Sequence, residues 1–172
     1  MNSKSTSHKF CELSVELLDQ SMVKIRHCLE QLSGDQVWWR PQPSINSVGN
    51  LCLHLDGNLR QWGVVPFSEA DDERDRESEF SSEAKIPAAD LLLQLEKTVD
   101  ESKQIWEGLS EEKLQQPVNI QGFDVTFMHA ISHTSSHFVG HAHQIIMLTR
   151  IKLGDGYRFQ CSPENGRDKL PI

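Results

Sequence analysis

The chain has 172 residues, 37% of them hydrophobic, and sets 25 acidic side chains against 17 Lys and Arg for a formal charge of −8. That length supports one domain, residues 1–172, with a core of its own, and an acidic balance without a basic stripe excludes nucleic acid and an anionic membrane surface as partners. Cys11, Cys28, Cys52 and Cys161 form no C-x-x-C pair, the opening MNSKSTSHKF holds no apolar leader, and no apolar run reaches membrane-spanning length, so a soluble cytoplasmic protein with reduced thiols is expected.

From Lys9 to Ser33 apolar residues return every three or four positions, at Phe10, Leu13, Leu17, Met22, Ile25, Leu29 and Leu32. This spacing predicts a long amphipathic helix, with Gly34 as its stop. Asp35 then opens a short turn bearing Val37, Trp38 and Trp39, the tryptophans serving as packing anchors, before Pro41 and Pro43 break regular structure. A second helix begins at Ser44 or Asn46 and turns Val48, Leu51, Leu55, Leu59 and Trp62 inward. His54 falls on the flank of that face beside Ser47, Asn58 and Gln61, a polar side that could line a cavity next to the core.

Between Gly63 and Pro87 periodicity disappears, and eight acids accompany Arg74 and Arg76 from Glu69 to Glu83. The stretch reads as a solvated crossover along a bundle. Pro87 opens a third helix that buries Leu91, Leu92, Leu95, Val99, Leu109 and either Ile105 or Trp106. Ser110 to Asp124, with Pro117 and Gly122, is a connection without strand alternation; the fourth helix follows it to about Lys152, where Gly154 ends it. The expected fold is all-α: a four-helix bundle with a long crossover between helices two and three, a core over residues 9–154 and a surface tail over 155–172.

The fourth helix carries five of the eight histidines, and His129, His133, His137 and His141 recur every fourth residue. At about 100° per residue, neighbours in this ladder stand about 40° apart, one turn above the other, while the whole ladder drifts by about 120°. An adjacent pair can share one metal ion, whereas His129 and His141 cannot. Spacing leaves open which pair does so. Phe127, Ala130, Thr134, Ile145 and Leu148 mark the buried face, and His143 points to solvent. Hydrogen-bonded core histidines are the alternative, but two neutral imidazoles in one small volume leave two donors and two acceptors to satisfy. A divalent metal removes that difficulty.

The segments NSVGNLCLHLDGNLRQW (residues 46–62), RDRESEF (74–80), QGFDVT (121–126) and the H-x-x-x-H followed by Gln144 resemble, in the same order, the DinB-like, damage-inducible superfamily. The resemblance runs from about Leu32 to Arg158. It implies a bundle often paired into homodimers and a divalent metal, zinc or nickel, held by His54, His137 and His141. With that pair chosen, His133 is left to line the pocket, about 80° around the helix from His141. Where members of this branch often have an acid before the first histidine of the pair and a glycine before the glutamine, this chain has Ser136 and His143.

The resemblance further implies a metal-dependent enzyme, a transferase in which a low-molecular-weight thiol attacks a small-molecule substrate. Two alternatives are a metal-dependent hydrolase, with Asp56 as a candidate base, and a non-catalytic dimeric bundle tied together by its metal. The protein's own Cys52 is turned about 160° from His54 on the same helix and is a poor nucleophile for that site.

Overall fold

The computed structural model describes residues 5–68, 70–81 and 85–160. Helix α1 (Thr6–Leu29) starts at Ser5, whose side chain accepts from the His8 backbone N–H, and ends before Gly34. Gly34 instead opens a single turn, α2 (Gly34–Val37), where the Ser33 N–H donates to Gln36 Oε1 at 2.9 Å. Helix α3 (Val48–Leu59) begins later than Ser44 or Asn46 because Ser47 is its cap, accepting from the Asn50 N–H at 3.1 Å. It continues as a π turn over Arg60–Val64 and a tight turn over Val65–Phe67. After α4 (Arg76–Ser81) come α5 (Ala88–Glu107), which follows Pro87, and α6 (Glu111–Gln115), capped by Ser110.

An antiparallel hairpin then appears where the sequence reading expects only a connection. Strands β1 (Pro117–Ile120) and β2 (Phe123–Thr126) pair with Pro117 opposite Thr126 and Ile120 opposite Phe123. Gln121 and Gly122 form the two-residue loop, with φ of 54° and 83°. Both central residues are left-handed, as in the tight turns that match the twist of a hairpin. Strands of four residues carry too little alternation to be read, and a glutamine at the first turn position hides a signal that Asn or Asp would give. Helix α7 (Phe127–Leu153) follows directly, its first turn capped by Thr126, and it stops at Gly154 with φ 54°.

The four long helices make the four-helix bundle, with α1 and α3 each packed against both α5 and α7. Leu18 and Ile25 of α1, Leu51 and Leu55 of α3, Leu95 and Trp106 of α5, and Phe138 and Ile145 of α7 are fully buried. Of the two candidates near the end of α5, Trp106 is thus the core residue and Ile105 is half-buried. All five residues expected on the buried face of α7 lie there. On α1 the stripe is displaced: Leu13 and Leu17 are 47% and 40% exposed, while Cys11, Ser14, Val15 and Leu18 are buried. Small residues take the face against the neighbouring helices, so two leucines that dominate the apolar pattern end up on the rim.

Trp106 anchors the core at the end of α5, its indole N–H donating to Gly63 O at 2.9 Å. A Cβ on residue 63 would stand 2.9 Å from the Trp106 ring, a close approach that favours glycine. Among the described residues no helix is long and apolar enough to cross a membrane. Residues 155–160 lie at the surface, with Tyr157 half-buried, and the rest of the expected tail, 161–172 with Cys161, lies outside the described residues.

Replacing Trp106 with Ala should cost about 3–5 kcal/mol of stability, seen as a lower urea midpoint. Leu13→Ala should cost less than about 0.5 kcal/mol because its side chain already meets water. Equal losses would mean that the α1 stripe faces inward after all.

Candidate metal centre

The structure brings together His54 from α3 and His137 and His141 from α7. One ring nitrogen of each lies within 4.8 Å of the other two. The His54 ring centroid is 4.9 Å from both partners, and the two α7 rings are 4.4 Å apart, the outcome of a four-residue step on one helix. His54 is buried and the other two are half-buried. Thr134 fixes the register of the two helices beside this cluster by donating to Asn58 Oδ1 at 3.0 Å.

Behind His54 sits a group that sequence reasoning misses. Glu79, on α4, is only 7% exposed, and its Oε2 lies 2.9 Å from His54 Nδ1. Arg74 grips the same carboxylate with two donors, Nε to Oε1 at 2.6 Å and Nη2 to Oε2 at 2.9 Å. Its third donor, Nη1, reaches Gln61 Oε1 at 2.7 Å. The backbone around Glu79 is tied down as well: Asn50 Nδ2 donates to Glu79 O at 2.9 Å, and Arg40 Nη2 to Phe80 O at 2.7 Å. The crossover is therefore not simply a solvated connection. Gly57 leaves the room for this approach, because a Cβ there would overlap Glu79 Oε1. Eight acids in one run look uniformly solvated; the available signal is the pair of arginines set among them.

The hydrogen-bond network assigns the ring hydrogens. Glu79 accepts only, so His54 Nδ1 carries the hydrogen and donates to it, which leaves Nε2 with a bare lone pair. Arg74 Nη2 also lies 3.1 Å from Nδ1. A guanidinium cannot give up its proton, and a bare Nδ1 facing the carboxylate would set lone pair against lone pair, so the Glu79 bond decides. By the same logic His141 Nδ1 donates to Gln144 Oε1 at 3.0 Å and keeps Nε2 bare. His137 Nε2 then stands 2.9 Å from His54 Nε2 and donates to it.

Burial disfavours the charged form of His137 and of His141. Burial first, then His141, His54, His133 and Arg74, push the His137 pKa down to about 3. Burial also lowers His141 against the opposing bond to Gln144. At Glu79 burial alone would raise the carboxyl, but the Arg74 and His54 bonds outweigh it and hold it below the usual glutamate range. The donor set fits a divalent metal. His54 and His141 present bare Nε2 atoms backed by acceptors on their far nitrogens, and an uncharged His137 presents a third once its hydrogen sits on Nδ1.

The cluster opens to a pocket of about 430 Å³ walled by Trp62, Phe123, Val125, His129, His133 and Arg76. His133 packs its ring 4.3 Å from the Trp62 ring and lies outside the three-nitrogen cluster. Gln121, at the hairpin tip, donates to Gln61 Oε1 and so ties the hairpin to the Arg74 network. Asp56 is elsewhere, held by Thr98 at 2.6 Å and Gln94 at 2.7 Å. Cys52 is buried in the core, its thiol pushed up to about 12 by burial and by Cys28.

Residues 5–166 match the model of a family described as proteins of unknown function, DUF1572. The chain belongs to this family. This DUF1572 member shares its fold with three solved bacterial structures. A conserved protein from Enterococcus faecalis shares 20% identity with a TM-score of 0.70, over 88% of this chain and 99% of that one. A DinB-like protein from Bacillus subtilis shares 18% at 0.63, over 86% and 96%. YfiT from Bacillus subtilis, described as a probable metal-dependent hydrolase with an unusual four-helix bundle topology, shares 14% at 0.71, over 88% and 91%. No curated protein is significantly similar to the DUF1572 chain.

The His137 shift has a signed consequence for the metal-free protein. An unfolded chain protonates this ring near the ordinary imidazole value of 6.5 and the folded chain only near 3, so below pH 6.5 the unfolded state binds the extra proton and stability falls as the pH falls. Denaturant titrations of chelator-treated protein from pH 7 to 4 should show that decline, with a shallower slope in His137→Ala. Parallel slopes would place the proton uptake on other groups.

Proposed function

We propose that this protein is a metal-dependent enzyme whose single divalent ion is held by His54, His137 and His141. The observation that carries the reading is the convergence of three imidazoles, from two helices, at the edge of a pocket large enough for a small molecule. Three protein ligands with solvent access match catalytic sites, whereas structural sites are closed by four. Glu79 holds His54 by its far nitrogen, and Arg74 keeps that carboxylate charged and in place.

When bound, the ion, zinc or nickel, would supply the positive charge that keeps a low-molecular-weight thiol deprotonated at neutral pH, ready for an electrophilic carbon of a small substrate. An external thiol is favoured because Cys52 is locked in the core. Among the described residues lining the pocket there is no Asp or Glu to act as a general base, which suits a reaction that needs none. Metal-dependent hydrolysis is the second reading. It is favoured by the likeness to YfiT and by His133, which lines the pocket with a pKa lowered by burial and His129 and could accept a proton.

Elemental analysis should find about one ion per chain, lost in His137→Ala and His141→Ala but retained in His133→Ala. Chelation should leave the far-ultraviolet circular dichroism helical, because the bundle core closes without the ion. A metal that survives both α7 substitutions, or a disordered spectrum on chelation, would contradict this assignment.

The reaction is read from a panel of thiols with monochlorobimane beside a panel of esters and amides, each with wild-type, chelated and His141→Ala protein. Thiol transfer that depends on metal and on His141 is the expected result. Metal-dependent turnover confined to the esters or amides would replace it with hydrolysis.

A further inference from the structure

The pocket beside the three histidines has a charge that the rest of the chain does not. The sequence holds 25 acids against 17 Lys and Arg, yet among the described residues no carboxylate lines this pocket, while two arginines do. They differ in kind. Arg74 is spent on Glu79, with its side chain only 6% exposed. Arg76 is exposed, its guanidinium stands 5.4 Å over the Phe80 ring, and among the described residues no carboxylate pairs with it. Phe80 in turn packs 4.9 Å from the His54 ring. One cation thus stands over an aromatic ring next to the proposed reaction site.

Another part of the lining is apolar. Phe123 and Val125 stand two residues apart on β2 and so share one face of the strand. Both line the pocket with Trp62, and Phe123 is 61% exposed. Asp124, between them, is occupied outside the pocket by Asn119 Nδ2 at 2.7 Å. Asp75, beside Arg76, is likewise engaged, accepting from the backbone N–H groups of Glu77 and Ser78 at 3.1 and 3.2 Å. A cation and an aromatic surface in one pocket define a two-part ligand.

We propose that the pocket binds small molecules that carry an anionic group, carboxylate or phosphate, at Arg76 and an apolar, preferably aromatic, body against Trp62, Phe123 and Val125. This rests on reading the three-histidine pocket as the reaction site and names the substrate class it accepts. The guanidinium is the group best matched to a planar or tetrahedral oxyanion, and focusing by a low-dielectric wall strengthens its pull in an otherwise acidic protein. Selectivity comes from meeting both subsites at once, which a ligand with only one of the two parts does not do.

The test is a ligand-detected NMR titration of the full chain with benzoate and phenyl phosphate, each compared with uncharged benzamide, in chelated and in zinc-loaded protein. Both anions should bind the chelated protein about tenfold more tightly than benzamide, as one charged hydrogen-bonding group supplies. Arg76→Gln should remove that preference and Arg76→Lys should keep part of it; whichever anion binds more tightly names the group. Equal binding of anion and amide, or a preference unchanged in Arg76→Gln, overturns the proposal. So does anion binding that requires zinc and survives Arg76→Gln, because it reports direct contact with the ion. Metal content of the same samples separates the two readings: a chain without metal but with Arg76-dependent selectivity removes the metal centre and keeps the anion subsite, and the converse removes the subsite alone.

Discussion

A ring nitrogen that must offer its lone pair to one side needs a hydrogen-bond acceptor on the other. At His54 that acceptor is Glu79, brought in from outside the four long helices. A carboxylate this deeply buried is costly unless it is paired and fully bonded. Arg74 supplies the pairing and Gly57 the space, while Asn50 and Arg40 hold the neighbouring backbone carbonyls. The ring's orientation thus depends on the crossover as much as on α3. Remove the carboxylate and Arg74 becomes an unpaired buried charge, so the two act as one unit.

The bundle is legible in the sequence because its helices are long and their apolar residues periodic. His137 and His141 are legible as a pair on one helix face, but spacing does not separate them from the other rungs of the ladder, and only the resemblance singles them out with His54. Two kinds of feature escape. Leu13 and Leu17 mislead because hydrophobic size is taken for inward direction, when Cys11, Ser14 and Val15 occupy the packed face. Glu79 and the hairpin escape because their meaning is not periodic. An acid among acids gains its role from contacts across the fold, and a left-handed glutamine is legible only once its φ is seen.

Identities of 14–20% to the solved structures establish the architecture and leave the chemistry to local residues. Those residues come from separate pieces of chain: α3 and its π turn, the crossover, the hairpin and α7. The π turn carries Gln61 and Trp62 into the site, and the hairpin tip meets it through Gln121. Four segments meeting at one pocket let it change its lining through the crossover or hairpin while the core of the bundle stays as it is.

The pairing of α1 with α7 also orders events during synthesis. Helix α1 is made well before α7, against which it packs, so its buried face has mainly α5 for company until α7 has been made. His54 and Glu79 can meet early, being 25 residues apart, whereas His137 follows His54 by 83. Loop closure on that scale comes late in folding. The carboxylate-backed imidazole can therefore be set before its two partners exist, and the docking of α7 completes both the core and the site.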